Sequence, residues 1–410
     1  MTSAGFAPSN PAESQAVTAL YLHIPFCDSK CLYCDFCSSA GQQQLYDPYV
    51  RAIQIEIKAS ALWLRQHQLS KPLETIYFGG GTPSVLGCDR LLRLLQTVYS
   101  VFNIAAQPEI TLECNPLSAH KLDAARLQAA GFNRVSIGLQ AAQDRLLKRL
   151  GRSHTVADFT DTVNALTAAG ISNLSADLMI GLPGQTLTDV SESLTYLSRF
   201  PLKHLSFYSL IIEEGTPFAQ AARKGQLADL PEPETERQMY QCVLDCLQDW
   251  QFEQYEVSNA ALPGYASRHN EVYWDGRPYL ACGLSAASYI GGVRRCNRRD
   301  LAGYLSIYGQ VSSAEADWSQ LAFAAADTAE TIDRAEAQRE FFWLGLRKLA
   351  GVRLSDYQQR FGQAPPPDIL LALRRLCAEG LLICEPAAGP RYRLSRRGLD
   401  WGNDVFAAFV

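Results

Sequence analysis

Three cysteines, Cys27, Cys31 and Cys34, stand at Cys-x3-Cys-x2-Cys spacing directly behind an apolar, strand-like run ending Tyr21-Leu-His-Ile-Pro-Phe26. No other feature restricts the fold as strongly, because thiols on so short a loop serve one centre only if the strand behind them holds the loop in place. Three thiolates can each bind one iron of a cubane cluster and leave the fourth iron for a non-protein ligand. Zinc is the competing centre, since cysteines two to four residues apart also open closed zinc sites. Cys37 and His23 are the nearby candidates for its fourth ligand, but such sites usually draw on a second close pair, and Cys242/Cys246 and Cys282/Cys296 lack that spacing. The iron–sulfur reading is therefore preferred to zinc, with a disulfide behind both.

Beyond this loop, short apolar runs alternate with longer amphipathic segments, the rhythm of βα units. Strands are expected at 19–24, 75–78, 109–113, 134–137, 173–179 and 204–210. Helical patterns fall between them at 49–65, 90–101, 119–130, 156–169 and 187–199. Six such strands predict an α/β fold with a parallel sheet curved into a partial (β/α)6 barrel, whose chemistry sits at the strand C-termini.

Polar and glycine-rich words fall at those strand ends. Gly79-Gly80-Gly81-Thr82-Pro83 follows the second strand, where missing side chains let backbone approach a ligand or simply make a tight turn. Glu113 ends the third strand, Gln140 follows the fourth ahead of Gly151-Arg152, and Asp177 lies in the fifth before Gly181-Leu-Pro-Gly-Gln185. Each has an ordinary structural reading, and a buried Asp177 would in any case need partners. A second constellation, Arg268-His269-Asn270-Glu-Val-Tyr273-Trp274, combines one imidazole with large aromatics. Imidazole can ligate a metal and Tyr and Trp offer flat apolar contact, although a lone histidine beside asparagine is more often structural. The run Arg294-Arg-Cys-Asn-Arg-Arg299 could pair with carboxylates but reads equally well as a solvated basic edge, and no site is assigned to it.

The cysteine loop resembles that of the radical S-adenosylmethionine (SAM) proteins. Tyr21-x-His23-Ile24-Pro25-Phe26-Cys27 is similar to the start of the family that contains the oxygen-independent coproporphyrinogen III oxidases and the heme chaperones, and the similarity runs from about residue 19 nearly to the C-terminus. It implies a radical-SAM barrel with a [4Fe-4S] cluster on Cys27, Cys31 and Cys34 and SAM on the open iron. Tyr21, Gly80, Gly81, Thr82, Glu113, Gln140, Arg152 and Asp177 then become the expected SAM contacts, and His269 the expected heme contact.

Two positions separate the branches of this family. The oxidases carry a further cysteine two residues after the third ligand; here that position is Phe36, and Cys37 is displaced by one. Against this, many chaperone-branch sequences have Gly-Pro-x-Ala-His-Ser where this chain has Gly283-Leu-Ser-Ala-Ala287-Ser288. The preferred reading is a heme chaperone that binds heme, SAM and the cluster and passes heme to an apo-hemoprotein. The alternative is a coproporphyrinogen III oxidase decarboxylating propionates through a SAM-derived radical, which Phe36 disfavours, so enzymatic activity stays open. A structural zinc protein is the third reading.

Composition bounds the rest. A chain of 410 residues, 47% apolar, can build a large core and two or three domains. The expected division is a flexible leader at 1–18, the radical SAM partial barrel at 19–215, a barrel-completing and heme-motif region at 216–320, and a helical or winged-helix-like domain at 325–410. A net charge of −5 offers no general attraction to nucleic acid. Twelve cysteines and a start without a basic, apolar signal point to a reducing, cytoplasmic compartment. No stretch approaches a membrane span, which leaves peripheral membrane contact open.

Overall fold

The computed structural model describes residues 16–309, 311, 318–386 and 389–410. Most of the expected leader, residues 1–15, lies outside the described residues, as do parts of the two later regions. All six expected strands form: β1 (Val17–Ile24), β2 (Ser70–Gly80), β3 (Ile104–Cys114), β4 (Arg134–Gln140), β5 (Asn173–Ile180) and β6 (His204–Ser209). They pair in sequence order and in parallel, each beside the next.

The residues after β6 extend this sheet at both edges. Leu280–Cys282 pairs in parallel with β1, while Asn259–Ala261 runs antiparallel to β6 and carries Glu253–Glu256 on its outer side. A segment late in the chain thus closes onto the first strand, which the βα rhythm alone does not disclose.

The period-2 alternation of strand side chains sorts the sheet into two faces. Ile76, Phe78, Ile110, Leu112, Val135, Ile137, Ala176, Leu205 and Phe207 pack with the surrounding helices in one core. The alternate residues are polar: Tyr77, Glu113, Ser136, Asp177, Ser206 and Tyr208 line a cavity on the opposite, concave face. Burying polar groups on one face of a sheet is costly unless they meet partners or a ligand.

The outer helices follow from local signals. Helices Val156–Ala168 and Leu187–Leu197 each start with a reciprocal capping box, Thr155 with Asp158 and Thr186 with Asp189. The single helix expected at 119–130 is instead split into Pro116–Ala119 and Ala124–Ala130. Asp123 ends the interruption by accepting from the Arg126 N–H at 3.0 Å. An aspartate with this local bond prefers a cap to a helix interior, which the apolar spacing concealed.

Near the C-terminus, helices Arg334–Gly345, Leu354–Phe361 and Pro367–Ala378 surround a small antiparallel sheet of Val352–Arg353, Arg391–Leu394 and Leu382–Glu385. Phe342, Leu346, Tyr357, Leu373, Val405 and Phe409 form a core of their own there. Helices with a three-stranded wing match the winged-helix-like expectation in architecture.

Candidate functional site

The cysteine loop is fixed on several sides before any cofactor is considered. Its stem continues β1, and Gly81 and Thr82 donate their N–H groups to the carbonyls of Ile24 and Phe26 at 2.8 and 2.7 Å. Leu32 donates to Leu150 O at 3.0 Å and accepts from Phe218 N at 3.0 Å, while Lys30 Nζ reaches the carbonyls of Phe36 and Ser38 at 2.8 and 3.1 Å. The glycines are explained by this seating. A Cβ on Gly81 would stand 2.7 Å from Phe26 O and 2.9 Å from Ile24 O, and one on Gly80, at φ +108°, would meet the His23 ring at 2.7 Å. Their first duty is to let the second strand end approach the first, rather than to leave room for a ligand alone.

Cys27, Cys31 and Cys34 line a cavity of about 480 Å³ at the C-terminal ends of the strands, together with Gly80, Gly81, Thr82, Glu113, Gln140, Arg152 and Asp177. The eleven expected cluster and SAM positions are spread over some 150 residues of chain; the fold gathers all of them but Tyr21 around one space. Its size suits a small-molecule ligand.

The polar groups around it are held in place. Glu113 accepts from the Tyr77 hydroxyl at 2.8 Å and the Gly80 N–H at 3.2 Å, and burial pushes its carboxyl up to about 7. Burial likewise raises Asp177, which accepts from the Ser136 hydroxyl at 3.1 Å. Gln140 sits at φ +73° where the register between β4 and β5 shifts, and its amide oxygen accepts from Tyr208 OH at 3.1 Å. This irregularity turns the amide into the cavity and extends the strand past the expected end at 137.

Arg152 links the end of β4 to the thiols. One Nη donates to Gly138 O at 2.7 Å and the other lies 3.5 Å from Cys31 Sγ. Its Nε is buried without a hydrogen-bond partner, the kind of orphan that a bound ligand would satisfy. Thr82 Oγ1 lies 3.5 Å from Cys27 Sγ, and burial pushes the Cys27 and Cys34 thiols up.

The donor set fits an iron–sulfur cubane. Among the described residues, no three His, Cys, Asp or Glu side chains converge as a site for a single metal ion. Three thiols sharing one cavity wall without a common focus suit a centre that spreads its ligands over separate irons, and they suit zinc poorly. Cys37 is directed elsewhere: its Sγ lies 3.7 Å from Arg299 O, and it does not line the cavity.

Residues 21–197 match the Radical SAM superfamily model, and residues 332–401 match the HemN C-terminal domain model. A heme chaperone, HemW, from Bacillus subtilis is 35% identical over 393 residues, spanning 95% of this chain and 98% of that protein. The chain belongs to the HemW heme chaperone family. HemW of Synechocystis is 38% identical over 82% of this chain and 79% of its own. Among solved structures, coproporphyrinogen III oxidase of Escherichia coli superimposes with a TM-score of 0.79, covering 97% of this chain and 91% of that one. At 21% identity that likeness shows the shared fold alone.

Within this HemW-family chain two sequence expectations are placed apart from the cluster cavity. Tyr21 does not line it; its ring lies against Tyr77 at 5.9 Å and His269 at 6.3 Å and borders a second cavity. His269 is 1% exposed. Its Nδ1 pairs with Thr75 Oγ1 at 2.8 Å and its Nε2 with Tyr273 OH at 2.9 Å, while its ring stacks on Tyr77 at 5.0 Å. Burial, with Arg134 and Arg277 nearby, drives its pKa down to about 3, so the ring is neutral. With both ring nitrogens engaged, the imidazole has no lone pair facing a cavity in this conformation.

Tyr77, Ser136, Ser206 and Tyr208 were missed from the sequence although they hold or neighbour the acidic groups. A signal existed. On β3 to β5, Thr111, Ser136 and Ser175, each two residues before Glu113, Gly138 and Asp177, are polar where a doubly covered parallel strand should be apolar.

Proposed function

We propose that this chain is a heme chaperone that carries a [4Fe-4S] cluster on Cys27, Cys31 and Cys34, holds SAM in the adjoining cavity, binds heme and passes it to an apo-hemoprotein in the cytoplasm. The observation that carries the reading is similarity over 95% of the chain to a protein named as a heme chaperone. Phe36 agrees with it: the position is 60% exposed at the cavity rim and offers no thiol.

In this reading the three thiolates hold the cluster, whose open iron supplies the place where SAM's amino and carboxylate groups bind. The chain's own groups do the selecting. Glu113 and Asp177 offer acceptors for ribose hydroxyls, the Arg152 Nε offers a donor, and Gly80 and Gly81 keep backbone close to the loop. Among the described residues no helix is long and apolar enough to cross a membrane.

The reading is tested with anaerobically reconstituted protein. Hemin is bound stoichiometrically and then moved to an apo-hemoprotein, measured as transfer of the Soret band to the acceptor after separation. Incubation with SAM, a reductant and coproporphyrinogen III is expected to release no carbon dioxide. Decarboxylation, with no heme transfer, would replace the chaperone reading by the oxidase.

A further inference from the structure

The cavity around Cys27, Cys31 and Cys34 extends past Asp177 toward the start of β4, where its lining takes in Arg134, Ser206, Ser258, Asn259 and Asn270. Arg134 opens β4 and pairs in register with Thr111 on β3. Gly138 lies four residues on, about 13 Å farther along the strand. Gln140, Arg152 and Asp177 belong to the strand-end part of the space, and Arg134 forms its floor.

Arg134 is 2% exposed, and its Nε is buried without a hydrogen-bond partner. Glu113 and Asp177 feel its charge but are bonded elsewhere, Glu113 to Tyr77 OH and Gly80 N, Asp177 to the hydroxyls of Ser136 and Ser206. Burial raises both carboxyls, which weakens the negative charge they set against a guanidinium. A cation enclosed in this way is costly unless an anion meets it, and the planar fork of arginine fits a carboxylate through two parallel hydrogen bonds. Asn259 adds an acceptor. It borders the cavity beside Ser206, with its Nδ2 bonded to Glu256 and its amide oxygen buried without a partner. A hydroxyl or amine would satisfy that oxygen.

We propose that the floor of the cluster cavity is a second ligand subsite, in which Arg134 receives the carboxylate of a small hydroxy acid or amino acid and Asn259 accepts from its hydroxyl or amine. The subsite goes beyond the heme reading and does not depend on it. Only its separation from the nucleoside part of the cavity rests on the SAM reading above.

The test uses full-length, anaerobically reconstituted protein and calorimetric titration with L-lactate, L-serine and inorganic phosphate in turn. Iron and sulfide content, SAM binding and melting temperature are measured on every variant. Lactate or serine is expected to bind the unaltered protein. Arg134→Met weakens that binding by about ten- to a hundredfold, the scale of a hydrogen-bonded charge, and leaves cluster content and SAM affinity unchanged. Its melting temperature without ligand holds or rises, because an apolar side chain of similar length removes a buried charge. A structural arginine would give the opposite, a lower melting temperature. Should Arg134→Met fail to fold, Arg134→Lys keeps the charge, loses the fork and still weakens binding. Phosphate binding in place of both acids would overturn the carboxylate assignment, and undiminished acid binding in the variants would remove Arg134 from the subsite. Loss of SAM together with the acids would make Arg134 part of the SAM site and refute a second subsite. Neither acid binding while SAM binds would refute the proposal and spare the SAM reading; acids binding without SAM would do the reverse.

Discussion

Gly81→Ala isolates the contact that seats the cysteine loop. The added Cβ would lie 2.7 Å from Phe26 O, 2.9 Å from Ile24 O and 3.0 Å from Phe26 N, all backbone atoms that cannot swing aside. Relief requires the strand end to retreat, which strains the bonds from Gly81 N to Ile24 O and from Thr82 N to Phe26 O. Overpacking of this kind costs about 1–3 kcal/mol, and each hydrogen bond contributes about 1 kcal/mol. Because the strain and the weakened bonds are one distortion, the expected loss is about 2–4 kcal/mol, concentrated immediately before Cys27. Gly87→Ala is the control, since Gly87 has φ +78° and ψ 162° but nothing within 4 Å of an added Cβ; it costs about 1–3 kcal/mol of backbone strain alone. Both variants are reconstituted anaerobically, and iron and sulfide per chain are measured beside the melting temperature. Gly81→Ala should lose most of its cluster and Gly87→Ala should keep it. Full cluster loading in Gly81→Ala, or equal losses in both, would refute the argument that close strand approach positions the thiols.

Other consequences are direct. Serine at Cys27, Cys31 or Cys34 should abolish the visible cluster absorbance, whereas Cys37→Ser should retain it, because Cys37 faces Arg299 O and not the cavity. His269→Ala should lower the melting temperature by removing partners from Thr75 and Tyr273, and should weaken hemin binding while iron content is unchanged; loss of hemin and cluster together would mark the residue as structural only. Glu56 is fully buried and accepts from Gly283 N, Asn297 Nδ2 and Tyr304 OH, and burial raises its carboxyl from 4.5 to about 7. Between those values the folded chain keeps a proton that the unfolded chain has lost, so this group makes stability fall as pH rises through the window, by a few kcal/mol in all. Unfolding measured between pH 5 and 8 should therefore show a shallower decline in Glu56→Gln than in the unaltered protein, and parallel curves would contradict the assignment.

The sequence could point to a cluster because the expected ligands are close together: three thiols within one loop need no tertiary information to be recognised. The βα order was equally legible, since apolar runs and helix caps such as Thr155 with Asp158 act over a few residues. Strand lengths were underestimated, as at β2, which begins at Ser70 rather than near 75, because exposed strand ends carry no apolar signal. Tyr77 and Ser136 stayed hidden for another reason. Their importance lies in what faces them across the sheet, Glu113 and Asp177, and register is a property of pairs of strands.

What the amino-acid order determined by itself was therefore local: the three-cysteine loop, the alternation of strands and helices, and the glycines that a close approach requires. Only the tertiary structure decided which polar side chains share a cavity and which motif residues turn inward. His269 shows the difference most clearly, for the family resemblance suggested a heme contact, while packing against Tyr77 and bonds to Thr75 and Tyr273 enclose it. Burial is set by distant segments that meet on folding, and a neutral imidazole with both nitrogens paired is the state that an enclosed, low-dielectric position favours.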